Sequence, residues 1–197
     1  MESSLFLKGN SGEGKTTLLF ECLRPWHKNM GGFYTQRLVD EKGRTMGFRM
    51  VPANEEWASQ ALYKKGLSNV FLEWTEAGFQ KNLEVFERTG AELLQSSANK
   101  KLCLMDEIGG VELFAPGFMN ALRNCLEGPL PCIGVIKSRK NLSAMATRIP
   151  VLPESDRLNM ELEEEILKRS KGQIITFERQ KESMVYRIIL DFLKKIL

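Results

Sequence analysis

The stretch GNSGEGKTT, Gly9 to Thr17, constrains the fold more than any other, because it directly follows the apolar run Leu5-Phe6-Leu7. Gly9, Gly14, Lys15 and Thr16 stand in the spacing G-x-x-x-x-G-K-[ST] of a phosphate-binding loop. Gly12 adds a residue without a Cβ, so the backbone N–H groups can curl inward around an anion. Leu18, Leu19, Phe20, Cys22 and Leu23 follow at a spacing that predicts a helix with one buried face. The N-terminus of that helix would aim free N–H groups and the positive end of its dipole at the anion. The nucleotide-binding candidates are therefore Gly9, Asn10, Ser11, Gly12, Glu13, Gly14, Lys15, Thr16 and Thr17. Lys15 would reach the β- and γ-phosphates as a catalytic group, and the Thr16 hydroxyl would ligate Mg²⁺.

The rest of the chain alternates strand and helix patterns. Strands are expected at Ser3–Lys8, Phe33–Val39, Arg44–Val51, Lys101–Ile108, Cys132–Ile136 and Gln173–Phe177. The second and third are joined by the polar turn Asp40-Glu41-Lys42-Gly43, the signature of a β-hairpin. Phe79, Leu83, Phe86, Leu93 and Leu94 recur at helical spacing, as do residues of Phe114–Leu126, Arg157–Arg169 and the stretch from Met184 to Ile196. Residues 53 to 78 show no period; Trp57 and Trp74 there either pack inside or stack on a base. Alternation of this kind predicts an α/β fold, a mostly parallel sheet with helices on both faces and an added hairpin. With 197 residues it is expected to form one domain, 1–197. Ligands of such sheets bind at the carboxyl ends of strands, where Gly9 to Thr16 lies.

LCLMDEIGGVELF, Leu102 to Phe114, supplies the second half of a site. Four apolar residues lead into Asp106-Glu107, and a carboxylate pair at the tip of a buried strand is costly unless a cation meets it. Magnesium with a nucleotide supplies that charge. Asp106 is the candidate metal ligand beside Thr16. Side chains alternate along a strand, so Glu107 is expected on the opposite face from Asp106, free to accept a hydrogen bond from an attacking water as the catalytic base.

The order GNSGEGKTT, GGFYTQRLVDEKGRTMGFRM, MDEIGGVELF resembles the cancer-related nucleoside-triphosphatase family of small RecA-like P-loop proteins. Asp106 to Gly109 and Glu112 to Phe114 are the most particular matches; Gly32-Phe33-Tyr34-Thr35 and Gly47-Phe48-Arg49 match the family's hairpin. The resemblance implies Mg²⁺-dependent hydrolysis of nucleoside triphosphates, ATP, GTP and others, with low base selectivity. It also implies one extra strand between the P-loop strand and the strand of Asp106. Three stretches depart from the family. Gln36-Arg37 stands where a glutamate is usual, KSRKNLSAMATR replaces Pro-rich text after Ile136, and Lys181-Glu182-Ser183 replaces Asn-Arg-Asp. These leave base contact and the source of a transition-state cation open; Arg37 and Arg139 are the candidates.

Composition narrows the class. Hydrophobic residues make up 43% and charged residues 27%, the balance of a globular protein. A net charge of +3 gives no clear signal for nucleic acid or membrane binding. No apolar run approaches a membrane span, and no signal-peptide core stands at the N-terminus. Cys22, Cys103, Cys125 and Cys132 have no C-x-x-C spacing, so reduced thiols in a cytoplasmic monomer are expected. A nucleotide or small-molecule kinase, and a nucleotide-regulated binding protein, are the alternatives to a hydrolase. The first needs an acceptor pocket, and the second usually brings a guanine-reading N-K-x-D, which is not present.

Overall fold

Nine strands hydrogen-bond into one sheet in a computed structural model that describes residues 4–138, 154–168 and 171–196. The strands are β1 (Ser4–Gly9), β2 (Met30–Val39), β3 (Thr45–Pro52), β4 (Gln60–Leu62), β5 (Val70–Thr75), β6 (Gly78–Lys81), β7 (Leu102–Ile108), β8 (Cys132–Lys137) and β9 (Gln173–Thr176). Their order is β6-β5-β3-β2-β7-β8-β1-β9, with β4 beside β2. From β2 to β9 the neighbours run parallel. From β2 outward through β3, β5 and β6 they run antiparallel. One strand, β8, lies between β1 and β7, as the resemblance implied.

Helices cover both faces, and the strands show why. Leu5, Leu7, Leu102, Leu104, Ile133 and Val135 point to one face. There they meet α1 (Lys15–Leu23) and α5 (Glu182–Ile196) through Leu19, Cys22, Val185 and Ile189. Phe6, Cys103, Met105 and Cys132 point to the other, against α2 (Leu83–Gln95), α3 (Pro116–Glu127) and α4 (Glu154–Lys168) through Phe86, Phe118, Leu122 and Leu162. Alternation with both faces buried produces the uninterrupted apolar runs of the sequence. All four cysteines are free thiols. No helix among the described residues is long and apolar enough to cross a membrane.

The structure moves several boundaries. Phe79 belongs to β6 rather than to the helix, because the Asn82 side chain accepts the Val85 N–H at 3.0 Å and starts α2 there. Phe114 closes a 3₁₀ turn, Gly110–Phe114, and α3 begins only at Pro116. The helix expected from Arg157 begins at Glu154. The periodless stretch holds β4 and β5, so the expected hairpin is the start of a larger antiparallel extension.

Gly32 sits in β2 at φ +81°, and a Cβ there would overlap the Leu104 carbonyl of β7. Strand contact and backbone conformation both demand glycine. Gly32→Ala is expected to destabilise the fold by about 3 kcal/mol, which lowers the melting temperature by roughly 6–12 °C. A thermal melt within 2 °C of wild type would contradict this close approach.

Candidate active site

The first loop turns on Gly12 at φ +80° and Gly14 at φ +99°, and Gly14 precedes α1 as its N-terminal flank. These left-handed residues curl the backbone into the anion-binding concavity expected of the motif. The Lys15 ammonium donates to the Asn10 carbonyl at 2.5 Å, and the residue is only 3% exposed. Burial lowers the Lys15 pKa, and the negative charges of Glu107, Glu13 and Asp106 oppose that shift. Glu13 folds back over the loop: its carboxylate accepts the Asn10 backbone N–H at 3.1 Å and the Asn10 side-chain amide at 2.8 Å.

Ninety residues along the chain, Asp106 meets this loop. The Thr16 hydroxyl donates to Asp106 Oδ1 at 2.8 Å, and the Thr35 N–H donates to Oδ2 at 3.2 Å. Asp106 is 1% exposed. Burial, joined by the charge of Glu107, pushes its carboxyl up to about 7, against the pull of the bonds from Thr16 and Thr35 and of Lys15. A buried carboxylate so disfavoured calls for a nearby cation. A hydroxyl and a carboxylate oxygen side by side are the hard donors that Mg²⁺ takes, so the residues present fit that ion.

Glu107 corrects the expected alternation. Its φ is 59°, in the left-handed region that non-glycine residues seldom occupy. Across this point β7 advances from Met105 to Ile108 while β8 advances only from Gly134 to Ile136, so β7 bulges. The bulge breaks the two-residue period, and Asp106 and Glu107 line the same cleft. Gly109 and Gly110 then turn the chain with φ of 130° and 82°. The buried Asn159 of α4 accepts the Gly110 N–H at 3.3 Å and fixes that turn.

The turn delivers a group that sequence reasoning treated only as a mark of resemblance. Glu112 is buried, and its Oε1 accepts from Lys81 at 2.7 Å and from Lys137 at 2.8 Å. Burial opposes ionisation of Glu112, but the Lys137 and Lys81 charges together hold its carboxyl below the usual carboxylate range. Burial lowers the Lys81 pKa, and the Lys137 charge adds to the effect. Lys137 ends β8, where it pairs in register with Gly9 of the loop, and its Nζ also donates to the Gly109 carbonyl at 3.4 Å. The only signal for this triad was the basic text after Ile136 and the Glu-Leu-Phe match; nothing in sequence joined Lys81 to either.

These groups open into one cleft of about 880 Å³. Ser11, Gly12, Gly14, Lys15, Thr16 and Thr17 line one end, so most of the expected loop candidates face it. Arg37 lines it from β2 and is exposed. Its neighbour Gln36 is buried away and tied to the Ala58 carbonyl at 2.8 Å and to Arg49 at 2.8 Å. Arg139 lies outside the described residues. Trp57 is half-buried against Phe20, with ring centroids 4.4 Å apart, whereas Trp74 is 49% exposed at the cleft.

The family model described as NTPase matches residues 4–163. A mouse protein named cancer-related nucleoside-triphosphatase homolog is 32% identical over 143 residues, covering 66% of this chain and 72% of its own. The solution structure of a human cancer-related nucleoside triphosphatase superposes with a TM-score of 0.63 at 25% identity, covering 98% of this chain and 97% of its own. The crystal structure of THEP1 from Aquifex aeolicus superposes with a TM-score of 0.65 at 20% identity, covering 96% of this chain and 98% of its own. The fold is that of a RecA-like P-loop NTPase.

Proposed function

Because this chain belongs to the NTPase family and is a nucleoside-triphosphatase, we propose that it cleaves nucleoside 5′-triphosphates of several bases, with Mg²⁺, to diphosphate and phosphate. The observation that carries this reading is the Thr16–Asp106 bond at 2.8 Å, which joins the phosphate loop to the carboxylate strand. Thr16 and Asp106 would hold Mg²⁺, whose charge offsets that of the β- and γ-phosphates. The loop N–H groups and Lys15 bind the phosphates and orient the γ-phosphorus. Glu107, raised into the cleft by its bulge, accepts a proton from water as the water oxygen bonds to that phosphorus. The bond from phosphorus to the β,γ-bridging oxygen breaks, and its electron pair leaves on the diphosphate. Arg37 and Arg44 both line the cleft, and Arg37 is the one we propose to meet charge on the transferring group. The broad base range is proposed on the family resemblance of the hairpin and carboxylate-strand motifs. The four free thiols suit a reducing compartment such as the cytoplasm.

Phosphate release over ATP, GTP, CTP, UTP and the deoxynucleotides, with Mg²⁺ or with chelator, tests this. Turnover of all bases within about tenfold in Mg²⁺, and its loss in chelator, is the expected result. One base preferred a hundredfold would reject the broad range, and turnover in chelator would reject the metal. In the same assay Asp106→Asn is expected to raise the half-saturating Mg²⁺ at least tenfold while changing metal-free nucleotide binding less. An amide keeps the shape of the carboxylate without its charge. Superimposable metal curves would remove Asp106 from the metal site.

A further inference from the structure

Beyond Asp106 and Glu107 the cleft continues over the antiparallel half of the sheet. Phe48 of β3, Phe71 and Trp74 of β5, Phe79 of β6 and Phe86 of α2 line that end. Sheet order separates this chamber from the phosphate loop: β1 lies on one side of β7, and β3, β5 and β6 lie on the other. On the proposed function, a triphosphate whose γ end meets Asp106 and Glu107 would run back over the loop toward β1, and the chamber would then lie beyond the γ-phosphate.

Two features define what fits there. The first is charge. Among the described residues, Lys81 and Lys137 both donate to the same oxygen of Glu112, so two ammonium groups share one carboxylate there and one positive charge is left over. Burial amplifies such an imbalance, and an anion relieves it. The second is ring surface. Trp74 is 49% exposed although it packs edge-on to Phe79 at 5.0 Å. Aromatic edges and faces at this spacing receive another ring in stacked or edge-on contact. Apolar walls with one convergent charge mark a small-molecule site.

We propose that this chamber binds a second small molecule, a planar-ringed anion held by its charge at Lys81 and by its ring against Trp74 and Phe79, at the same time as the nucleotide. Bound there, the molecule shares its cleft with Glu107.

The probe 8-anilinonaphthalene-1-sulfonate carries both required features and reports its environment by fluorescence. It is titrated into the full chain with Mg²⁺ and a saturating non-hydrolysable triphosphate analogue. Saturable binding is expected, with a Kd that changes less than threefold when the analogue is present. Trp74→Ala and Lys81→Met are each expected to raise that Kd at least tenfold, with melting temperature measured on the same samples. The uncharged N-phenyl-1-naphthylamine is expected to bind at least tenfold more weakly than the sulfonate. Displacement of the probe by the analogue would overturn the proposal, since the chamber would then hold the nucleotide's own base. Wild-type affinity in both variants would overturn it as well, since the probe would then sit on another surface. Equal binding of the uncharged probe would overturn the anion requirement. Should Lys81→Met not fold, the half-exposed Trp74→Ala decides.

Discussion

Glu107→Gln is expected to lower the single-turnover hydrolysis rate by roughly 10²-fold or more, the usual scale for losing a positioned general base. Affinity for the Mg²⁺–triphosphate complex should stay within a few-fold of wild type. Glutamine can still accept a hydrogen bond from water through its carbonyl, but it cannot take the proton. Contacts to bound nucleotide barely change, so binding and chemistry come apart. The bulge gives this experiment a control. Glu107 occupies a left-handed backbone position at φ 59°, and glutamine keeps the same side-chain volume there. It also removes one of two adjacent negative charges beside Asp106. The melting temperature of the variant should therefore hold or rise. A near-wild-type rate would dismiss Glu107 as the base and shift the reading toward transfer to another acceptor.

Lys15→Ala is expected to weaken nucleotide binding by roughly 10²-fold, equivalent to ~3 kcal/mol, the upper range for hydrogen bonds made by a charged group. Lys15 is buried, and its one described donor bond goes to the Asn10 carbonyl of its own loop. Burial disfavours its charge, while Glu107, Glu13 and Asp106 support it. Removing the ammonium lifts a desolvation cost but leaves those carboxylates without a counter-charge. The two effects oppose, so the variant should fold and melt within a few degrees of wild type. Isothermal titration with a non-hydrolysable analogue reads the affinity, and a thermal melt reads the fold. Unchanged affinity would deny that this loop holds phosphate.

Much of this architecture was legible because its causes are local. The loop from Gly9 to Thr17 announces itself by three glycines and a following apolar period, and β1 and α1 flank it as expected. Asp106 was legible because a buried strand that ends on a carboxylate is expensive. Glu107 was placed on the wrong face because its orientation depends on the register of β7 against β8, which no window of β7 alone contains. The Lys81–Glu112–Lys137 cluster was invisible for a related reason. Its members sit at the ends of β6 and β8 and in the turn after β7, and only the sheet brings them together. The stretch from 53 to 78 resisted reading because β4 has three residues, too few to show a period, and β5 pairs across a register shift at Phe48 and Arg49. The sequence offers Trp74 only interior packing or base stacking; its exposure at the far end of the cleft follows from the antiparallel extension.

The placement of β1 also has a consequence for the ribosome. The strand that carries the phosphate loop is made well before both of its sheet neighbours, β8 and β9. At about 5–20 residues per second, the roughly 120 residues between Gly9 and Cys132 take on the order of 6–24 seconds to synthesise. During that interval Leu5, Phe6 and Leu7 have no strand to pair with, whereas β2 and β3 can close a hairpin as soon as they emerge. The nascent chain thus holds a finished antiparallel wing and an orphaned apolar strand for many seconds. That strand is the segment a chaperone would guard, and the nucleotide site waits on strands made long after its loop.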